Sequence, residues 1–264
     1  MDIIVSDLDG TLLDHDTYSF AGALGALSVI RDAGAKLVLC SSKTRTEMEQ
    51  WRQWIGSRDP FIVENGGAVI WDAGYFPGDA TRLELGAPYA DLRRALADSA
   101  KAARAVVRGF GDMTVQEVAE RCGIPEYEAE LAKQREYDEP FVVEKGSETK
   151  LEAQIIQRGL RCLRGGRFFH ILGGNDKGAA VKKLLAMYAE SGDPVHSLGL
   201  GDAPNDASML KAATNAVVMP SPQAAALRKL VPRATMADAP GAVGWNRAVI
   251  EWLGRNGDFW ERQR

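Results

Sequence analysis

The strongest chemical signal in the chain is Asp7-Leu8-Asp9-Gly10-Thr11, which directly follows the apolar run Ile3-Ile4-Val5. On an extended backbone, residues two apart lie on one face, about 6–7 Å from each other. Both carboxylates therefore aim at one place. Two nearby acids repel, so one stays protonated or a cation neutralises the pair. That suits a nucleophilic carboxylate beside a general acid/base, both close to Mg²⁺. The plainer alternative is a solvated turn at a strand end, where Asp and Gly are common. A second oxygen-rich cluster, Gly201-Asp202-Ala203-Pro204-Asn205-Asp206, also follows a buried apolar run. It reads as a hard-cation site or its support, or else as a helix N-cap. Ser41 ends a third apolar run, where its hydroxyl and neighbouring backbone N–H groups suit a phosphoryl oxygen or the capping of the next helix. Lys177, in Asn175-Asp176-Lys177-Gly178, opens a helical stretch. A lysine there would neutralise both a phosphate and Asp7, although a lone lysine is usually a solvated surface charge.

These residues need elements to position them. Apolar runs at 3–5, 37–39 and 61–63 alternate with helical periodicity that ends near Gly34 and over 44–55. Strand-helix-strand-helix-strand predicts a doubly wound, parallel-sheet (Rossmann-like) α/β core. Such sheets bind ligands outside the carboxyl ends of their strands, so Asp7/Asp9, Ser41/Lys43 and Glu64/Asn65 should converge. Between 82 and 172 the texture changes. Helical stretches at 89–103, 114–121, 126–135 and 148–158 mix with strand-like runs at 141–143 and 167–172. This predicts an inserted α+β cap domain over 82–172, with 1–81 and 173–264 forming the core. Helix 177–188, strand 195–200, a helix through Met209 and Leu210, and strand 216–219 resume the α/β pattern. Trp245, Trp252 and Trp260 point to the packing of a final helix.

Composition sets the remaining bounds. The 264 residues are 45% hydrophobic and 26% charged, ordinary for a globular chain. Net charge is −4 with pI near 5.5, so the general basic surface of a nucleic-acid binder is missing. Cys40, Cys122 and Cys162 are far apart and match no metal-ligand spacing, which reads as reduced thiols in a cytoplasmic protein. There is no signal-peptide pattern and no apolar run of spanning length, so no membrane partner is expected.

Taken in order, DLDGT at 7–11, Ser41, Lys177 and GDAPND at 201–206 resemble the motifs of the haloacid dehalogenase-like phosphatase superfamily. The insert resembles the larger α+β cap of its sugar-phosphatase branch. Over nearly the whole chain, Ser41-Ser42-Lys43-Thr44-Arg45, Phe61-Ile62-Val63-Glu64-Asn65-Gly66-Gly67, Gly109-Phe110-Gly111-Asp112-Met113-Thr114, Arg135-Glu136-Tyr137-Asp138-Glu139-Pro140 and Gly165-Gly166-Arg167-Phe168-Phe169-His170 look like mannosyl-3-phosphoglycerate phosphatases. That likeness implies hydrolysis of a small phosphorylated sugar acid to mannosylglycerate, with some relatives taking the glucosyl substrate.

Carried over, the resemblance makes Asp7 the nucleophile and Asp9 the acid/base. Mg²⁺ would sit on Asp7, Asp9 (through its carbonyl) and Asp202. Asn205 and Asp206 would orient waters or Lys177, while Ser41 and Lys177 hold the phosphoryl group. For the substrate's carboxylate the candidates are Arg167, Arg135 and Lys43 with its neighbour Ser42, because cationic side chains suit a carboxylate and guanidinium groups bind it bidentately. His170, Glu136 and Asn65 are candidates for hydroxyls. Arg135 at a helix end and His170 as a satisfied strand histidine remain the structural alternatives. Hinges are expected near 74–86 and 172–174. A phosphomutase and a non-catalytic binding protein are the rival functions on this fold.

Overall fold

The computed structural model describes residues 1–165 and 167–256 of the chain. Ile3, Ile4 and Val5 are β-branched, which favours extended backbone and suits burial on both faces. They form the middle of β1 (Asp2–Ser6) and are fully buried. Then follow α1 (Leu24–Ala33), β2 (Lys36–Cys40), α2 (Arg45–Ile55), β3 (Phe61–Val63), β4 (Ala68–Ile70) and β5 (Arg82–Glu84). The insert contributes α3 (Tyr89–Ala103), β6 (Val106–Gly109), α4 (Val115–Cys122), α5 (Glu126–Ala132), β7 (Asp138–Lys145), α6 (Glu148–Ile156), β8 (Arg161–Arg164) and β9 (Phe169–Leu172). The chain then adds α7 (Lys177–Ala189), β10 (His196–Gly201), α8 (Ala207–Ala212), β11 (Asn215–Val218), α9 (Ala224–Leu230), β12 (Thr235–Met236) and α10 (Gly241–Asn256).

The larger sheet has the order β12-β11-β10-β1-β2-β3-β4-β5. Its pairs run parallel from β12 to β3, and β3-β4 and β4-β5 are antiparallel. The period-two alternation of β1 and β2 divides the core. Ile4, Leu37 and Leu39 face Leu27 of α1 and Trp245 and Val249 of α10. Ile3, Val5 and Val38 face Val181 and Leu184 of α7 and Met209 and Leu210 of α8. Helices thus cover both faces, and the polar strand ends are left at one edge, as the doubly wound expectation requires. The smaller sheet, β6-β7-β9-β8, is antiparallel throughout. Leu92 and Leu96 of α3 and Leu151 and Ile155 of α6 pack on Phe141 and Ile171. A further cluster joins Val118, Ala129 and Ala132 of α4 and α5 to Phe110 and Met113.

Several local expectations are corrected. Residues 82–84, assigned to the insert, pair with β4 and extend the larger sheet. The helix expected over 126–135 stops at Ala132, because the backbone N–H groups of Glu136 and Tyr137 donate to the Glu64 carboxylate instead of to helical carbonyls. The strand expected over 167–172 begins at Phe169 and is the second arm of a hairpin with β8. Among the described residues no helix is long and apolar enough to cross a membrane.

The final helix is anchored by two tryptophans. Trp245 is fully buried and its Nε1 donates to Ser6 Oγ at 2.9 Å, while Trp252 Nε1 donates to Asn215 Oδ1 at 3.1 Å. Trp260 lies outside the described residues. Trp245→Ala should lower the unfolding free energy by about 3–5 kcal/mol, the usual loss for a large buried aromatic. Urea unfolding measures this, and a loss under about 1 kcal/mol would mean that α10 does not close the core.

Candidate active site

The site forms where β1, β2 and β10 end. Sheet bonding continues one residue past the strands: Asp7 N donates to Leu200 O at 3.0 Å and Ser41 N to Ile62 O at 3.1 Å. Asp7 and Ser41 are thereby held at neighbouring strand ends, 6% and 0% exposed. Gly10 has φ +71°, and a Cβ there would lie 2.9 Å from Asp202 Oδ2, so only glycine lets this turn pass so close to the second acidic cluster.

Lys177 enters from the first turn of α7, whose N-cap Asp176 accepts from Ala179 N at 2.8 Å. A Cβ on the next residue, Gly178, would sit 2.3 Å from Ser208 O, so α7 approaches α8 at a distance that only glycine permits. Lys177 is 1% exposed, and its Nζ donates to Asp7 Oδ1 and to Asp206 Oδ1, each at 2.7 Å. The other oxygen of Asp206 accepts from Asp202 N at 3.0 Å and Ala203 N at 3.1 Å. Asp206 thus clamps both Lys177 and the turn that carries Asp202, while Asn205 is exposed. One carboxylate oxygen from each of Asp7, Asp202 and Asp206 lies within 4.8 Å of the others.

Burial pushes the Asp7 carboxyl well above its ordinary range; Lys177 pulls it down, and Asp206, Asp202 and Asp9 push it further up. Burial and then Asp206 raise Asp202 to about 7. Burial opposes the charge of Lys177, but Asp206 and Asp7 outweigh it and hold the ammonium well above its usual value. One ammonium faces three clustered carboxylates, so negative charge is left over. An all-oxygen donor set with excess negative charge fits a hard divalent cation such as Mg²⁺.

The remaining candidates divide. Lys43 Nζ lies 3.0 Å from Asp9 Oδ1, and the Lys43 N–H donates to Ser41 Oγ at 3.3 Å. Asn65 donates to Asp138 Oδ2 at 2.9 Å through its side chain and to Ser41 O at 3.0 Å through its backbone. His170 Nδ1 donates to the same buried Asp138 at 2.9 Å. Arg135, a candidate carboxylate ligand, is engaged with backbone carbonyls. Its Nε donates to Ala132 O at 2.8 Å and its Nη1 to the carbonyl of Ser42 at 2.7 Å, so it braces the insert against the core. Glu136, expected at a hydroxyl, pairs with Arg45 at 2.9 Å and Arg82 at 3.6 Å. Arg167 donates to the carbonyls of Arg121 and Cys122 at the end of α4. Two residues were given no role by the sequence, although Glu64 stood among the converging strand ends. Glu64, with φ +47°, is fully buried and accepts from Glu136 N at 2.9 Å and Tyr137 N at 2.8 Å. Its place in a polar strand end was a signal, but its partners are remote in sequence. Tyr18 lies with its ring 5.4 Å from Lys43 Nζ, and no motif marks it.

With this geometry in hand, the likenesses to known proteins are specific. The family model of haloacid dehalogenase-like hydrolases matches residues 4–156 and 165–230. A glucosyl-3-phosphoglycerate/mannosyl-3-phosphoglycerate phosphatase of Methanococcoides burtonii is 36% identical, over 97% of this chain and 99% of that protein. A protein of the same name from Persephonella marina is 37% identical over 94% and 95%. The mannosyl-3-phosphoglycerate phosphatase of Pyrococcus furiosus is 34% identical over 78% and 86%. Among solved structures, one from Thermoplasma acidophilum superposes with a TM-score of 0.72 at 18% identity, over 96% of this chain and 98% of that one, which is a likeness of fold. The chain belongs to the haloacid dehalogenase-like hydrolases, and within them to the mannosyl-3-phosphoglycerate phosphatase family. Its enzyme class is that of a phosphoric monoester hydrolase.

The Glu64 junction has a pH signature. Burial raises this carboxyl from 4.5 to about 7, against Arg135 and the two backbone donors. Between those values the folded chain keeps a proton that the unfolded chain has released, so stability falls as pH rises through the window and is level above it. The shift corresponds to roughly 3 kcal/mol. The stability difference between wild type and Glu64→Gln should decline by that order from pH 4.5 to 7 in urea titrations. A pH-independent difference would refute the assignment.

Proposed function

We propose that the chain is a Mg²⁺-dependent phosphatase of glycosyl-3-phosphoglycerates, with the mannosyl compound as its main substrate and mannosylglycerate and phosphate as products. The observation that carries the chemistry is the buried Asp7 carboxylate held by Lys177 beside Asp202 and Asp206. The names of the relatives support the substrate class.

In this reading Asp7 attacks phosphorus in line. The bond from phosphorus to the sugar-acid oxygen breaks, and Asp9 gives that oxygen its proton. Asp9 then takes a proton from a water that attacks the aspartyl-phosphate, and the phosphorus–Asp7 bond breaks to release phosphate. Lys177 and Ser41 hold the phosphoryl oxygens throughout, where fixed charges and dipoles contribute most. Asp7, Asp202 and the carbonyl of Asp9 would hold Mg²⁺. When bound, the ion neutralises charge on the carboxylates and the phosphoryl oxygens. Asp206 keeps Lys177 and the Asp202 turn in place, and Asn205 stands ready for an ordered water. The four-stranded insert acts as the cap that excludes water and selects the leaving group.

Phosphate release should require Mg²⁺, stop with a chelator, and be fastest from mannosyl- or glucosyl-3-phosphoglycerate. Asp7→Asn in a folded protein should lower it by at least about a thousandfold. If common sugar phosphates react faster than both glycosyl substrates, the substrate assignment fails. Residual activity near wild type in Asp7→Asn would remove the mechanism.

A further inference from the structure

The alcohol that leaves phosphorus departs beside Asp9, because Asp9 is the group placed to protonate it. The cation against Asp9 is Lys43, at 3.0 Å, with its side chain 14% exposed. Lysine is a point charge on a flexible four-carbon stem, so its place depends on what the stem and ammonium rest against. On its open side Lys43 meets the ring of Tyr18 at 5.4 Å.

Tyr18 is held there by a closed loop. Asp14 Oδ1 accepts from Asp16 N at 3.2 Å, Thr17 N at 3.0 Å and Thr17 Oγ1 at 2.8 Å. Tyr18 N donates to Asp14 O, and Asp14 N to Ser19 O, both at 3.0 Å. These bonds put Tyr18 at φ +54°, a left-handed conformation that is unfavourable for a bulky side chain. The residue is still 46% exposed, so core packing does not account for that conformation. What the placement achieves is contact with Lys43. The Asp9 charge, then burial, push the phenol up to about 12, while Lys43 and Arg167 of the insert act against them. The loop after the nucleophile motif and the loop after β2 therefore meet at Tyr18.

We propose that Tyr18 is a positioning residue of the leaving-group subsite: its ring holds the Lys43 ammonium beside Asp9, where Lys43 binds a carboxylate on the departing alcohol. The proposal rests on the phosphatase reading above, since that reading puts the leaving group next to Asp9. It makes the negative charge of the alcohol, rather than its sugar, the feature read by the core.

The test compares 3-phosphoglycerate with glycerol 3-phosphate, which differ only in carrying a carboxylate or a hydroxymethyl group. Calorimetric affinities are measured with Mg²⁺ on Asp7→Asn protein, which binds without turnover. 3-Phosphoglycerate should bind about tenfold or more tightly than its partner, as one charge-assisted contact gives. Adding Lys43→Met should bring the ratio to within about twofold. Tyr18→Ala should reduce it roughly threefold to tenfold, and Tyr18→Phe, which keeps the ring, should preserve it. Competitive inhibition constants of wild-type protein against an aryl phosphate provide the same ratio without Asp7→Asn. Thermal melting of the Tyr18 variants should match that of the parent. Equal binding of the two ligands, no binding of 3-phosphoglycerate, or a ratio unmoved by Tyr18→Ala would each overturn the proposal. The two readings fail separately. No release from glycosyl-3-phosphoglycerates with the ratio intact removes the substrate assignment, and release with a ratio near one removes the subsite.

Discussion

The site depends on one buried ammonium. Lys177 is sealed from water and lies 2.7 Å from both Asp7 and Asp206. A buried charge is tolerable only when it is paired, and removing either partner leaves an uncompensated charge in a dry place. Three separate pieces of chain are therefore locked together: the end of β1, the first turn of α7 and the turn between β10 and α8. Several other features serve that lock. Gly178 lets α7 come close to α8, and Asp206 uses its second oxygen to hold the Asp202 turn. The same lock aligns Asp7 with Asp202, so the constraint that stabilises the strand ends also gathers three carboxylates that could hold a cation.

A second junction uses the same physics for a different purpose. Glu64 and Asn65 both adopt left-handed backbone in the tight turn between β3 and β4. Glu64 takes the backbone donors of Glu136 and Tyr137, Asn65 binds Asp138, and Arg135 returns a hydrogen bond to the carbonyl of Ser42. Buried polar groups are satisfied across the boundary between core and insert rather than within either. Asn65 N also donates to Ser41 O, so the junction touches the loop that carries the candidate phosphate contact. The position of the insert and that loop are mechanically connected.

Much of this core was legible in the sequence because the signals are strong in type and place. Apolar runs that stop at Asp7, Ser41 and Gly201-Asp202 specify parallel strands whose polar ends meet at one edge. The insert was harder to read. β5 and β8 are edge strands carrying Arg82, Glu84, Arg161 and Arg164, and an edge strand need not be apolar. Arg135 and Glu136 look like ligand-binding charges, but a charge that braces two domains has the same residue type as one that holds a substrate. Only the identity of its partner separates the two, and the partners lie 93 and 91 residues away. Tyr18 left no trace, since its role follows from a backbone conformation imposed by Asp14 rather than from a motif.

The two lysines near the acids show how charge is divided across the site. Lys177 is 1% exposed and has two carboxylate partners, so it stays where it is whatever binds. Among the described residues Lys43 meets one carboxylate, Asp9 at 3.0 Å, whose side chain is 36% exposed. In the proposed reaction a fixed ammonium meets the phosphoryl oxygens at one place from substrate to aspartyl-phosphate, and its preorganisation avoids rearrangement of the protein. A cation on a flexible stem, facing an open carboxylate, can move to a new partner when one arrives. On the proposed reading, the end that would hold the phosphoryl group is rigid for this reason, and the more open end beside Asp9 is where this chain would discriminate between departing alcohols.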